Sequence, residues 1–188
     1  MFRLFYIYLI LLMNVTGCTN DMPPTDMPPT PYCRAKHQDT DNYIYAADSS
    51  NAGCLIRFEH KTLLITHRFS QRLDIPGGGA QTNESLACTA HRETFEETGL
   101  NVEVLFPVAQ TKHGMIIFAC LADDMLDINH FPRPSPSFAL TESVHVSLYD
   151  LFDLEQESFR FEDDLVPFRD AFIATPASTP LSTETIHH

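Results

Sequence analysis

Residues 78–100 read GGAQTNESLACTAHRETFEETGL, and the fold is decided here. Ser85 is a residue type whose side-chain oxygen accepts from the free N–H groups of a first helical turn. Gly99 stands where a left-handed residue ends a helix, so the stretch predicts a helix capped by Ser85 and running to about Thr98. Ala87, Ala90 and Thr94 fall on one side of it, the stripe expected to face a sheet. Glu93, Glu96 and Glu97 fall at i, i+3 and i+4, which crowds three carboxylates onto one face, and like charges at that spacing destabilise a helix. Taken alone, the triad reads equally as a solvated acidic face, partly relieved by Arg92 four residues before Glu96. With Gly77, Gly78, Gly79 and Glu84 added, the better reading is a shared cation. All-oxygen ligands select magnesium, manganese or calcium. The glycines let the backbone bend sharply at the start of the stretch.

The spacing Gly78-x5-Glu84-x7-Arg92-Glu93-Thr94-x-Glu96-Glu97-x-Gly99-Leu100 resembles the Nudix box. Its one departure is Thr94, where the family carries an aliphatic residue; threonine is close to valine in shape, but its hydroxyl needs a partner if buried. The resemblance implies an α/β (α+β) domain, a mixed β-sheet sandwiched between helices. It implies a hydrolase that cleaves a diphosphate linkage with Mg2+, or with Mn2+ as the alternative. Glu96 and Glu97 would be the principal metal ligands, with Glu93 a further ligand or proton acceptor. Arg92 would hold a carboxylate in position, and Gly78 would lie close to the metal. Glu84 and Gly99 would have peripheral metal or structural roles, for Glu84 a capping one. The small-molecule substrate is a nucleoside diphosphate derivative or another diphosphate, and the box does not name it, because variable loops hold the substrate's groups.

Working outward, Ala52–Glu59 and Thr62–Arg68 are β-branched, apolar stretches around a polar His60-Lys61 turn, which reads as a hairpin. A short strand is expected at Leu73–Ile75, and further strands at Val102–Phe106, Met115–Ala122 and Ser143–Leu148. A second helix is expected over Asp163–Ile173, interrupted near Pro167, covering the other face of the sheet. Outside the box, Glu142 is a candidate for an additional base or ligand. Arg68 and Lys112, with His113, are candidates for the substrate phosphates. Phe95, on the helix side away from the carboxylates, is expected to pack under a loop.

The hydrophobic share of 44%, the charged share of 20% and the 14 Phe residues describe a globular chain with room for one domain, expected over residues 33–175. The net charge of −13 repels nucleic-acid phosphates, so no nucleic-acid partner is expected. Residues 1–17 carry Arg3, an apolar run from Leu4 to Met13 and small residues before Cys18, which reads as a secretory leader. The run is too short for a bilayer span of roughly 20 residues. Val15-Thr16-Gly17-Cys18 resembles the lipobox of bacterial lipoproteins, implying lipid on Cys18 and a membrane-anchored protein in the cell envelope, facing the periplasm. Thr19, in place of Asp, slightly favours the outer membrane.

Residues 18–32 include the tandem Asp-Met-Pro-Pro-Thr repeat, an extended proline-rich tether, and residues 176–188 are expected to form a flexible tail. Cys33, Cys54, Cys88 and Cys120 remain for disulfides and fit no zinc spacing. Sequence alone leaves three pairings open, and Cys33 with Cys54 and Cys88 with Cys120 is taken as the expectation. A second functional class stays open as well: a lipoprotein that keeps the fold as a ligand-binding or sensor module without turnover. The intact glutamates argue against it.

Overall fold

The computed structural model describes residues 28–36, 49–123 and 126–179. The leader, Cys18, the tether up to Met27 and residues 180–188 lie outside the described residues. The predicted hairpin forms as β1 (Asn51–Phe58) and β2 (Lys61–His67), with Glu59 in the turn at positive φ. The strands pair only next to the turn, at Arg57↔Thr62 and Phe58↔Lys61, and then diverge. Each takes a different set of neighbours.

The free end of β1 pairs with β4 (Gly77–Gly79), antiparallel, on one edge and with β6 (Ile116–Leu121), parallel, on the other. β6 continues to β5 (Glu103–Gln110). The free end of β2 pairs with β3 (Leu73–Asp74) and with β8 (Ser143–Tyr149), and β8 with the two-residue β7 (Arg133–Pro134). The result is one mixed eight-stranded sheet with the path β5-β6-β1-β2-β8-β7. β4 lies so close on β1 that a Cβ at Gly77 would come within 2.7 Å of the Gly53 Cα. Only glycine permits that approach, so the glycine run is a strand as well as a bend.

Strand alternation sends side chains to two cores. Ala52, Cys54, Ile56 and Phe58 pack with Ala87 and Ala90 of α1 (Leu86–Thr98). Leu55 packs on the opposite face with Leu165, Phe168, Ala171 and Phe172 of α2 (Leu165–Ala174). The predicted helix caps hold: Ser85 Oγ accepts from the Cys88 N–H, and Gly99, at φ 74°, donates its N–H to the Phe95 carbonyl. The Thr94 hydroxyl is buried and donates to the Ala90 carbonyl at 2.7 Å, which meets its need for a partner. Phe95 stacks on Phe138 of the turn between β7 and β8, with centroids 6.0 Å apart.

Two expectations are corrected. Pro167 does not interrupt α2, because it is the third residue of that helix, within the first turn, where its missing N–H has no partner to lose. The disulfides are Cys33–Cys88 and Cys54–Cys120, not Cys33–Cys54 and Cys88–Cys120. Parallel pairing of β1 with β6 brings Cys54 and Cys120 together in the core under α1. Backbone bonds between Arg34, Lys36 and Val104 lay the entering chain along β5, beside α1 and Cys88. The segment after α2 begins anchored: the Ser178 N–H donates to the Arg57 carbonyl, and its hydroxyl accepts from the Ala122 N–H. No helix among the described residues is long and apolar enough to cross a membrane.

Candidate active site

The box folds into a layer of carboxylates between the N-terminal half of β1, the β4 edge and α1. Arg92 lies at its centre, nearly buried. Its Nε and one terminal nitrogen grip the two oxygens of Glu84, each at 2.9 Å. The same terminal nitrogen donates to the Gly79 carbonyl at 2.8 Å, and the other reaches Glu93 Oε1 at 2.8 Å and Glu96 Oε2 at 2.9 Å. One planar fork therefore fixes three acidic side chains and the glycine strand, which a lysine could not do. These bonds push the Arg92 pKa up, with Glu84 the largest cause.

Glu84 is the structural anchor of the group. Its Oε2 also accepts from the Gln81 N–H and the Thr89 hydroxyl, and the Arg92 bond holds its pKa below the usual carboxylate value. Ser85, not Glu84, caps the helix, and Gly99 serves only as its C-terminal stop.

Glu93 and Glu97 are the buried carboxylates of the face, 8% and 5% exposed. Glu97 Oε2 accepts from the Gly77 N–H at 2.8 Å. Burial nevertheless drives its pKa well above the ordinary value, with the charges of Asp74, Glu93 and Glu142 adding to the rise. Burial also raises Glu93, while Arg92 opposes it. Gly78 faces Glu93 so closely that a Cβ there would lie 2.5 Å from the carboxyl carbon. The glycine is thus required by the carboxylate it faces.

Glu142 comes to the same place: it shares a small cavity with Glu96 and Glu97 and raises the pKa of both Glu93 and Glu97. Of the three candidate phosphate ligands, His113 lines a cavity beside Gly77 and Gly78, and the other two are engaged elsewhere. The Arg68 guanidinium donates to the Leu140 carbonyl, and the Arg68 backbone N–H to the Glu142 carbonyl at 2.7 Å, so the residue braces the Glu142 loop. Lys112 Nζ pairs with Asp163 at 2.9 Å on the surface. Two acids that no motif marked, Asp74 and Asp164, line a cavity against Gly77 and Gly78. No spacing in the sequence joins them, because they meet only when β3 and the start of α2 converge.

No group of three acidic, histidine or cysteine residues among the described residues is arranged as a ready-made metal cage, because Arg92 draws Glu93 and Glu96 towards itself. The donor set still fits a hard divalent cation. Arg92 takes one oxygen from each of those two carboxylates, and the buried Glu97 has no cationic partner among the described residues that would favour its ionised form.

The NUDIX domain profile matches residues 48–173. No curated protein matches the chain. An ADP-ribose pyrophosphatase from Streptococcus suis superposes with a TM-score of 0.52 at 19% identity, covering 73% of this chain and 92% of that one. A NUDIX hydrolase from Nitrosomonas europaea gives 0.51 at 23% identity, covering 68% and 74%. A NUDIX-family hydrolase from Clostridium perfringens gives 0.51 at 20%, covering 67% and 97%. At these identities the likeness is one of fold. Nudix hydrolases cleave small-molecule diphosphates and generally use divalent metals. With the family profile spanning two thirds of its length and the box carried by β4 and α1, this chain belongs to the NUDIX family of hydrolases.

Proposed function

We propose that the protein is a magnesium-dependent diphosphatase of the cell envelope, tethered to the membrane through lipid on Cys18 and facing the periplasm. The observation that carries the chemistry is the pair Glu93 and Glu97, buried beside Gly77 and Gly78, with Arg92 bonded to one oxygen of Glu93 and no cation among the described residues paired with Glu97. A divalent cation bound there supplies charge for the diphosphate oxygens and lowers the pKa of water. Glu96 and Glu97 hold it, with Glu93 beside them, and Mn2+ can replace Mg2+. Arg92 keeps Glu93 and Glu96 aimed at the same point, and Glu84 keeps Arg92 aimed in turn. Glu142, across the small cavity from Glu96 and Glu97, is placed to accept a proton.

The envelope location rests on the leader and lipobox of the sequence. It is supported by two disulfides that engage every cysteine after Cys18, the chemistry of an oxidising compartment. Substrates available there include nucleotide sugars, dinucleotides and lipid diphosphates. The unaltered glutamates disfavour a module that only binds.

The mature protein, assayed for release of phosphate or nucleoside monophosphate from a panel of diphosphates, should be active with magnesium and silent in EDTA. Activity untouched by EDTA, or none on any diphosphate, would remove the assignment. For the anchor, palmitate labelling and detergent partitioning should both vanish in Cys18→Ser. Soluble, unlabelled wild-type protein would refute it.

A further inference from the structure

Next to the glycine strand lies a cavity of about 240 Å³ that the catalytic carboxylates do not occupy. Gly77 and Gly78 form one wall, and Asp74, His113, Arg160, Phe161 and Asp164 are among the residues of the others. It is smaller than the roughly 300–1,000 Å³ that encloses a whole small-molecule ligand. It can therefore take one end of a substrate whose middle lies over Gly78.

Asp164 is the informative residue. It is 3% exposed, yet its Oδ1 has no hydrogen-bond partner. A buried polar atom left without a partner costs on the order of 1–3 kcal/mol and calls for a reason. Helix capping is not that reason. Asp164 precedes α2, but its side chain makes no capping bond, and Pro167, at the third helical position, has no N–H to offer. Asp74, the second acid of the cavity, accepts from the Ile75 N–H at 2.9 Å, which leaves acceptor capacity on its carboxyl group. Another wall is built of rings and a cation: the His113 and Phe161 rings pack with centroids 4.7 Å apart, and the Arg160 guanidinium lies 5.1 Å from the Phe161 centroid. A ring can lie against that wall.

We propose that this cavity is the subsite for the uncharged end of the substrate, a ring that presents adjacent O–H or N–H donors to Asp164 and Asp74. The orientation of that substrate, with its diphosphate over Gly78, rests on the diphosphatase reading above. Acceptors on the protein select donors on the ligand. Two sources carry that chemistry: the vicinal hydroxyls of a sugar, and a base such as guanine with two N–H groups on one edge.

Calorimetric titration of the mature protein in EDTA separates them, using ADP-, GDP- and UDP-glucose at millimolar concentration beside free ADP, GDP and UDP. Asp164→Asn should weaken the recognised ligand about tenfold to a hundredfold. Phe161→Ala, at a 39% exposed position, should weaken the same ligand. The terminal glucose as the source gives losses for all three nucleotide sugars and none for the free diphosphates, and the nucleoside ribose gives losses for all six ligands. A guanine base gives losses for GDP-glucose and GDP alone. Equal affinities of wild type and both variants for every ligand, or no binding by wild type, would overturn the subsite. Selective losses without magnesium-dependent hydrolysis would keep the subsite and reject the diphosphatase. Hydrolysis without selective losses would do the reverse.

Discussion

The two helices cover opposite faces of one sheet and bury opposite kinds of surface. α2 buries Leu165, Phe168, Ala171 and Phe172, all apolar. α1 buries only two apolar residues, Ala87 and Ala90, beside Thr89, His91, Glu93, Thr94, Glu97 and Thr98. Hydrophobic transfer holds the first. The second is held by partners: Thr94 on Ala90, Thr98 on Thr94, His91 on Asn101, and Arg92 on three glutamates. The lesson is that both faces of the sheet carry an apolar core, whereas α1 alone also accepts buried carboxylates, which add no stability of their own.

The sharpest way to break this contrast is at Phe168, 1% exposed and edge-on to Phe159 at 5.5 Å. Phe168→Ala should cost about 3–5 kcal/mol of stability by denaturant unfolding, while the turnover number of the folded protein stays unchanged. Turnover falling along with stability would mean that the two faces are not separate.

Buried acid near the site should show the opposite behaviour. Burial raises Asp74 to a pKa of about 7, above its unfolded value, so the folded state prefers the protonated form. Wild type therefore loses stability as pH rises from about 4 through about 7, and Asp74→Asn, with no proton to lose, does not. Measured in EDTA, the advantage of the variant should grow across that window to at most about 4 kcal/mol, taking about 1.4 kcal/mol per pKa unit. A constant difference at every pH would contradict the raised pKa.

The smallest effect is expected at Arg92. Arg92→Lys keeps the charge but not the fork that joins Glu84, Glu93, Glu96 and Gly79. Turnover should fall by roughly 10², the scale for one misplaced electrostatic contact. An unchanged rate would show that the glutamates need no such brace.

How far sequence carried the account differs between these regions. The caps of α1, its sheet-facing stripe, its crowded glutamates and the hairpin were legible, because each is local: periodicity, capping chemistry and turn residues act within a few positions. The site's outer members were less so. Glu142 was visible only as a residue before a strand, and Arg68 and Lys112 only as cations. Their hydrogen bonds to Leu140 and Asp163 span 72 and 51 residues, beyond any local pattern. Asp74 and Asp164 carried no signal at all. The disulfide pairing was illegible for the same reason, since it follows from the parallel register of β1 and β6 and from the path of residues 33–36 along β5.

The central claim is that the buried carboxylates of α1 await a cation, and Glu97 tests it most directly. Melting of wild type and Glu97→Gln should be compared with and without magnesium, beside the hydrolysis rate. A ligand bound only by the folded state raises its stability by mass action. Magnesium should therefore raise the melting temperature of wild type and raise that of Glu97→Gln much less. Without metal the variant should melt level with wild type or above it, since a buried and repelled carboxyl group is gone. Its rate should be about 10² to 10³ lower. Equal stabilisation of the two proteins by magnesium, or an unchanged rate in the variant, would contradict the account.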